Sequence, residues 1–451
     1  MNTAQSDTYD ANLGNASILV VDDEPGMRNF LTKILTPRCR RVEQAASPKE
    51  AGAILDKAHF DLIIVDNIMP GQTGLEWLQE QRRVGLFADT ILITAYADLE
   101  TAIKALRIGV TDFVLKPFRA NQILNAASQA LDRKHLRREN FLLRHALTTE
   151  QPSNRGRLLG NSPAITQVRD TLHKLAPLPT SVLFTGPSGA GKEVAARTLH
   201  SLSPRSDQPF VAINCAAIPP NLAAQEFFGL VDGGETKQDG LFLNADGGTL
   251  FLDEIAQMPE IVQAALLRVL EDKRIRPVGA EREIPLDLRF MFATNANLEE
   301  AVKNGQMRAD LYHRINVLQI EMPTLKDRAE DMVELAALFV EEFSTALGVP
   351  PLELDDQTLL KMSRYDWPGN VRELRNLIER SVILSSFPEE FSGNGKVTGS
   401  VAVETLELVT QRHIMNVLDA CNGNRAEAAR RLGVSRKTID RKFAAWDVSV
   451  E

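Results

Sequence analysis

No apolar stretch in this 451-residue chain approaches the roughly 20 consecutive residues that a bilayer-spanning helix needs. That absence argues against membrane partners. Cysteine is almost as scarce. Cys39, Cys215 and Cys421 lie far apart and in no metal-ligand spacing, so a disulfide framework and a cysteine metal site are both excluded, which fits a reducing cytoplasm. The first 16 residues have neither a basic start nor an apolar core; they read as a flexible leader over 1–16 rather than a secretion signal. What is present, 44% hydrophobic and 25% charged residues, is the composition of globular domains, and the length allows three of them.

The net charge of −9 is unevenly spread. Between Arg425 and Lys442 stand seven basic residues against two acidic ones, Glu427 and Asp440. An acidic body with a basic tail points to a nucleic-acid contact at one end.

From residue 17 to 131, apolar runs alternate with amphipathic helical stretches. The runs are ILVV (18–21), a weaker one near Val42, DLIIV (61–65), TILIT (90–94) and DFVL (112–115). Alternation of this kind predicts a doubly wound parallel sheet, whose functional groups gather beyond the carboxyl ends of the strands. There stand Asp22 and Asp23 after the first strand, Asp66 closing the third, Thr94 closing the fourth, and Lys116 after the fifth. Three carboxylates brought together need a hard cation, and oxygen ligands suit Mg²⁺. With the metal bound, Asp66 can attack a phosphoryl donor, Lys116 can pair with the new charge, and the Thr94 hydroxyl can move to bond it. The segment resembles the receiver domain of two-component response regulators through VDDEP (21–25), VDNIMPG (65–71), TAYAD (94–98) and LKPF (115–118). The resemblance implies a flavodoxin-like fold phosphorylated on Asp66 by a sensor histidine kinase. Phe113 departs from it, since many receivers carry a tyrosine there.

Residues 132–156 follow as a connector. LDRKHLRRENFLLRHAL (131–147) has helical periodicity and dense charge, compatible with a solvated linker helix or with a dimerisation coiled coil. TTEQPSNRGR then reads as a loop and a domain boundary.

The central region carries an ordered series of nucleotide-handling motifs. SVLFTGPSGAGKEVAARTLH (181–200) reads as strand, glycine-rich loop and helix. Gly186, Pro187, Ser188, Gly189, Ala190 and Gly191 form a loop whose backbone N–H groups can approach phosphate, Lys192 reaches the outer phosphates, and Glu193 opens the helix. GGTLFLDEI (247–255) places Asp253 to hold Mg²⁺ with ATP and Glu254 to orient the attacking water. FMFATNAN (290–297) is a buried strand ending in Thr294 and Asn295; RADLYHRI supplies Arg308 and Arg314; WPGNVRELRN (367–376) puts Arg372 on a helix after a Pro-Gly turn. The set resembles the AAA+ domain of bacterial enhancer-binding proteins, the NtrC family, over 157–390 with a helical lid at about 323–390. The resemblance implies a Walker A motif at Gly186–Glu193, Walker B at Asp253 and Glu254, and Asn214 coupling nucleotide state to Glu254. It further implies Asn295 as sensor I, Arg308 and Arg314 as fingers acting on a neighbouring subunit, Arg372 as sensor II, and a dimer that assembles to a hexamer or heptamer.

One departure stands out. Relatives that remodel sigma-54 RNA polymerase carry a GAFTGA loop before the Walker B strand, whereas residues 225–255 here read QEFFGLVDGGETKQDGLFLNADGGTLFLDEI, shorter and without that string. The expectation is regulation through housekeeping-sigma RNA polymerase. The alternatives are an ATP-driven sigma-54 remodeller with a divergent loop, and a repressor acting by occupancy. After a linker at 391–404, residues 405–451 read as an all-α helix-turn-helix that turns at Gly433. Its second helix projects Ser435, Arg436, Lys437, Thr438, Arg441 and Lys442 toward a major groove. It resembles the Fis-type unit of the same family, which implies a dimer on promoter-upstream DNA.

Overall fold

The first strand, β1 (Ser17–Val21), is buried at every residue, as a strand covered on both faces by helices must be. The computed structural model describes residues 13–86, 88–95, 99–146, 158–232, 235–388, 390–391 and 424–431. After β1 come α1 (Pro25–Leu35), β2 (Arg41–Ala45), α2 (Pro48–Leu55), β3 (Leu62–Asp66), α3 (Gly74–Val84), β4 (Asp89–Thr94), α4 (Leu99–Ile108), β5 (Asp112–Leu115) and α5 (Ala120–Ala146). The strands pair in parallel in the order β2-β1-β3-β4-β5, the doubly wound arrangement the alternating pattern predicts. Helix α3 is delimited by its own chemistry: a capping box between Thr73 and Glu76 starts it, and Gly85 at φ 101° ends it.

Two boundaries differ from the sequence reading. Leu13 and Ala16 are buried in the same core as Ile18 and Val20, so the last residues of the expected leader belong to the receiver fold; residues 1–12 lie outside the described ones. Helix α5 runs unbroken for 27 residues through the expected domain boundary at 131/132. Its first turns carry Ile123, Ala126, Ala127 and Ala130 into the core, and no Gly or Pro interrupts the remainder.

The second sheet is built from β6 (Val182–Thr185), β7 (Phe210–Asn214), β10 (Thr249–Asp253), β13 (Arg289–Thr294) and β14 (Gln319–Glu321), in the order β14-β6-β13-β10-β7, all parallel. Around it lie α6 (Pro163–Leu175), α7 (Lys192–Ser201), α8 (Ala223–Phe228), α9 (Leu241–Ala245), α10 (Glu260–Asp272), α11 (Leu298–Lys303) and α12 (Ala309–Ile315). Two antiparallel pairs stand off this sheet: β8 (Leu230–Asp232) with β9 (Glu235–Gln238), and β11 (Arg274–Ile275) with β12 (Ile284–Pro285). The β8–β9 pair lies in the interval before the Walker B strand that lacks the GAFTGA string. Helices α13 (Met332–Leu347), α14 (Asp356–Arg364) and α15 (Asn370–Leu384) form the lid, with a core of its own that includes Phe339, Trp367, Leu374 and Phe391.

Of the tail, Arg425–Arg431 is helical. Ser435, Arg436, Lys437, Thr438, Arg441 and Lys442 lie outside the described residues.

Receiver and ATPase domain meet through charge. The Arg282 N–H donates to Val84 O at 3.0 Å, and its guanidinium donates to Gln81 Oε1 at 2.8 Å and Asp56 Oδ1 at 2.5 Å. Arg274 donates twice to Asp56 O, at 3.1 and 3.0 Å. Where α5 crosses the ATPase domain, Arg40, His59, Asp61, Lys134, Arg138 and Asp246 line a cavity of about 370 Å³. Burial pushes Asp246 up to about 6, against the Asp287 N–H, Lys134 and Arg40; Asp61 adds to the rise. Burial and Lys134 push His59 down to about 4.

A raised carboxyl pKa means that the unfolded chain loses its proton first as pH rises, so Asp246 withdraws stability between pH 4 and about 6. The Asp246→Asn variant should therefore gain about 1–2 kcal/mol at pH 7, discounted for partial exposure, and almost nothing at pH 4. Urea titration at the two pH values checks this.

Candidate functional site

At the carboxyl edge of the receiver sheet, β1, β3 and β5 deliver Asp22, Asp66 and Lys116. The first two side chains are almost fully buried, Asp22 at 0% and Asp66 at 4% exposure. Lys116 Nζ donates to Asp66 Oδ2 at 2.9 Å and to Asp22 Oδ2 at 3.4 Å. Asp23 joins them, each residue offering a carboxylate oxygen within 4.8 Å of the others. Burial pushes Asp22 up, opposed by the Glu24 N–H at 2.8 Å and by Lys116. Burial alone would lower Lys116; the hydrogen bonds and charges of Asp66 and Asp22 together outweigh this and raise it. Asp66 Oδ1 is buried with no hydrogen-bond partner among the described residues. An orphaned oxygen beside two further carboxylates fits a hard divalent cation.

Thr94, which closes β4, is buried beside this group, whereas Phe113 is 47% exposed. The turn behind Asp66 is tight. A Cβ on Gly74 would stand 2.2 Å from Asp66 O, and the Gly74 and Leu75 N–H groups donate to Asn67 O and Oδ1 at 3.0 and 3.3 Å. Helix α3 thus starts against the backbone of Asp66 and ends at Val84, where Arg282 binds.

In the ATPase domain, the glycine-rich loop runs between β6 and α7. Gly186, Gly189 and Gly191 all have positive φ, at 134°, 75° and 100°, values that a side chain resists. Lys192 turns back into the loop and donates to Gly186 O at 2.9 Å and Pro187 O at 3.1 Å. Burial lowers its pKa, against Asp253 and Glu254. An anion in the loop would take the ammonium from those carbonyls. Glu193 is engaged along its own helix by Arg197 at 2.7 Å.

Strand pairing sets Asp253 beside Asn214 and Thr294 beside Thr185. Glu254 follows in a left-handed conformation, φ 51°, with its N–H on Asp253 Oδ1 at 2.9 Å. Burial, then Asp253, raises the Glu254 pKa, while Lys192 and the Asn295 backbone oppose the rise. Asn214 Oδ1 accepts from Ala216 N–H at 2.9 Å and caps the next turn, so that oxygen is not on Glu254.

The arginines divide. Arg372 Nη1 donates to Ser188 Oγ at 2.8 Å, placing it on the loop. Arg308 forms a two-point pair with Asp310, at 3.1 and 2.8 Å, and Arg314 donates to Leu270 O at 3.1 Å. Neither is bonded to the glycine-rich loop, Asp253 or Glu254 of its own chain among the described residues.

The motif reading missed two residues on this loop. Arg328 Nη2 donates to Ala190 O at 2.8 Å, and Asn370 Nδ2 to Ser188 O at 3.0 Å. Asn370 had a visible signal, two residues before Arg372 in WPGNVREL. Arg328, in KDRAED, looked like one more charged lid residue.

Comparison with known proteins matches four segments of the chain to known families. Residues 18–128 match the response regulator receiver domain, 158–321 the sigma-54 interaction domain, 326–390 the AAA+ ATPase lid domain, and 405–446 the bacterial regulatory protein, Fis family. The regulatory protein AtoC of Escherichia coli (strain K12) is 36% identical over 452 residues, which span 96% of this chain and 98% of that protein. The response regulator protein PilR of Pseudomonas aeruginosa is 35% identical over 93% of this chain and 96% of its own. The crystal structure of NtrX from Brucella abortus in complex with ADP aligns with a TM-score of 0.51 and 31% identity, covering 96% of this chain and 100% of that one. From end to end, then, receiver, AAA+ domain, lid and Fis-type helix-turn-helix follow in the order of these relatives, and the chain belongs to the NtrC family of two-component response regulators that control transcription.

Proposed function

We propose that a sensor histidine kinase phosphorylates Asp66, and that this charge governs an ATP-binding assembly in the cytoplasm, held at promoter-upstream DNA by the basic tail. The observation that carries the reading is the Lys116–Asp66–Asp22 arrangement with its orphaned Asp66 oxygen. In it, Asp66 is the acceptor, Asp22 and Asp23 with Asp66 hold Mg²⁺, and Lys116 transfers its hydrogen bond to the new phosphoryl group. Bound Mg²⁺ would supply charge neutralisation between donor and acceptor oxygens. Thr94 completes the response, and Phe113, which has no hydroxyl, adds no hydrogen bond to it.

ATP enters the loop Gly186–Glu193, with Lys192 and Arg372 on its phosphates. Asp253 would hold the nucleotide's Mg²⁺, Glu254 orients water, Asn295 senses the γ-phosphate as sensor I, and Asn214 couples nucleotide state to Glu254. Arg308 and Arg314 act on the neighbour in a hexamer or heptamer assembled from dimers, a role suited to guanidinium groups that, among the described residues, are not bonded to the glycine-rich loop, Asp253 or Glu254 of their own chain. ATP turnover is ancillary to regulation.

We further propose that the partner is RNA polymerase carrying the housekeeping sigma factor. This rests on the short β8–β9 pair and on the missing GAFTGA string between residues 225 and 255. A second reading, a sigma-54 remodeller with a divergent loop, is favoured by the match of residues 158–321 to the sigma-54 interaction domain.

Millimolar Mg²⁺ should raise the melting temperature of the wild type by about 2–5 °C and leave an Asp22→Ala/Asp23→Ala variant unmoved. Calorimetry checks this. Asp66→Asn should abolish hydroxylamine-sensitive, base-labile labelling by the kinase while retaining the fold by circular dichroism. In transcription reconstituted with each holoenzyme, the housekeeping form should respond. ATP-dependent open complexes formed only with sigma-54 polymerase would decide for the second reading.

A further inference from the structure

The glycine-rich loop poses an accounting problem. Its backbone must aim N–H groups at phosphate, and in a trans peptide the carbonyl of the same unit then points the opposite way. Every carbonyl from Gly186 to Ala190 has a donor, and the five divide into two sets. Gly186 O and Pro187 O face inward and accept from Lys192 Nζ at 2.9 and 3.1 Å. Ser188 O, Gly189 O and Ala190 O face the lid. There they accept from Asn370 Nδ2 at 3.0 Å, Val371 N–H at 3.1 Å and Arg328 Nη2 at 2.8 Å.

Neither lid side chain is a surface residue reaching across by chance. Arg328 and Asn370 are each 3% exposed. Arg328 sits at a break in the lid's first turn, with φ −130° and ψ 42° inside an otherwise helical segment, which is where a guanidinium can leave the helix direction. Asn370 holds φ 53°, tolerated by Asn and Asp better than by other side chains. Its Oδ1 accepts from Leu325 N–H at 2.9 Å, so the same amide joins loop and lid. Contact at this seam is close. A Cβ on Gly189 would stand 2.2 Å from Gly369 O. Asp331, three residues past Arg328, is 2% exposed and accepts from Asn161 N–H, Ser162 N–H and Ser162 Oγ at 2.6, 2.8 and 2.6 Å. That bond set anchors the arginine's segment to the strand-side body.

We infer that Arg328 and Asn370 are positioning residues for nucleotide binding: by holding the Ala190 and Ser188 carbonyls outward, they keep the N–H groups of Gly191 and Gly189 aimed at the diphosphate. The lid is thereby part of the phosphate site, independently of Arg372. The inference rests on the proposed binding of ATP in this loop. Its signature is symmetrical. Loop N–H groups serve the phosphates that ADP and ATP share, whereas a residue acting through Arg372 would change ATP binding alone.

The test uses the full chain, titrated calorimetrically with Mg·ADP and with the slowly hydrolysed analogue ATPγS. Arg328→Met and Asn370→Asp should each weaken both nucleotides by a common factor of about tenfold, the loss of one strong hydrogen bond. KM for ATP should rise by the same factor with kcat within about twofold. Arg328→Lys, which keeps a donor, should recover part of the loss. Asn370→Asp keeps the acceptor for Leu325 and the backbone conformation, so it decides the matter if Arg328→Met does not fold. Unchanged ADP affinity in the folded variants, or weakening of ATPγS alone, overturns the inference. Failure of the wild type to bind either nucleotide overturns the nucleotide reading as well, and is told apart by appearing before any substitution is made.

Discussion

Parallel strands finish on one edge, and at that edge the chain must leave the sheet with its last peptide groups and side chains unpaired. Both sites of this protein are built on that constraint. Asp66 ends β3 and Thr94 ends β4; Thr185 ends β6 and Asp253 ends β10. Polar groups placed there need no separate scaffold. Pairing to neighbouring strands, such as Asp253 to Asn214 and Thr294 to Thr185, sets their spacing before any ligand arrives.

Each site also keeps a lysine engaged while it waits. Lys116 is bound to Asp66 and Asp22, and Lys192 to the carbonyls of Gly186 and Pro187. Half-buried ammonium groups cannot stand without partners. The two edges thus share one physical principle while differing in acceptors: carboxylates around one lysine, backbone carbonyls around the other.

Between the sites lies α3. It begins against the backbone of Asp66 and Asn67, through Gly74 and Leu75, and its last carbonyl region binds Arg282 of the ATPase domain. A rise of 1.5 Å per residue makes an 11-residue helix about 16 Å long. Asp56 adds a second point of attachment through Arg274 and Arg282.

The sequence alone determined the order of the modules and which residues stand at both edges. Local rules suffice there: a strand's carboxyl end, a loop with glycines at Gly186, Gly189 and Gly191, a helix cap at Thr73. It missed that Leu13 and Ala16 are core residues, since two apolar residues in a polar leader carry no period. It split α5 at residue 131, although nothing in the chain breaks the helix, because the charge pattern changes there while the backbone does not. Only the tertiary structure decided what joins the lid to the phosphate loop. Arg328 and Asn370 lie 138 and 182 residues from the carbonyls they hold. No spacing rule reaches across such separations; only burial of the lid against the loop brings donor to acceptor.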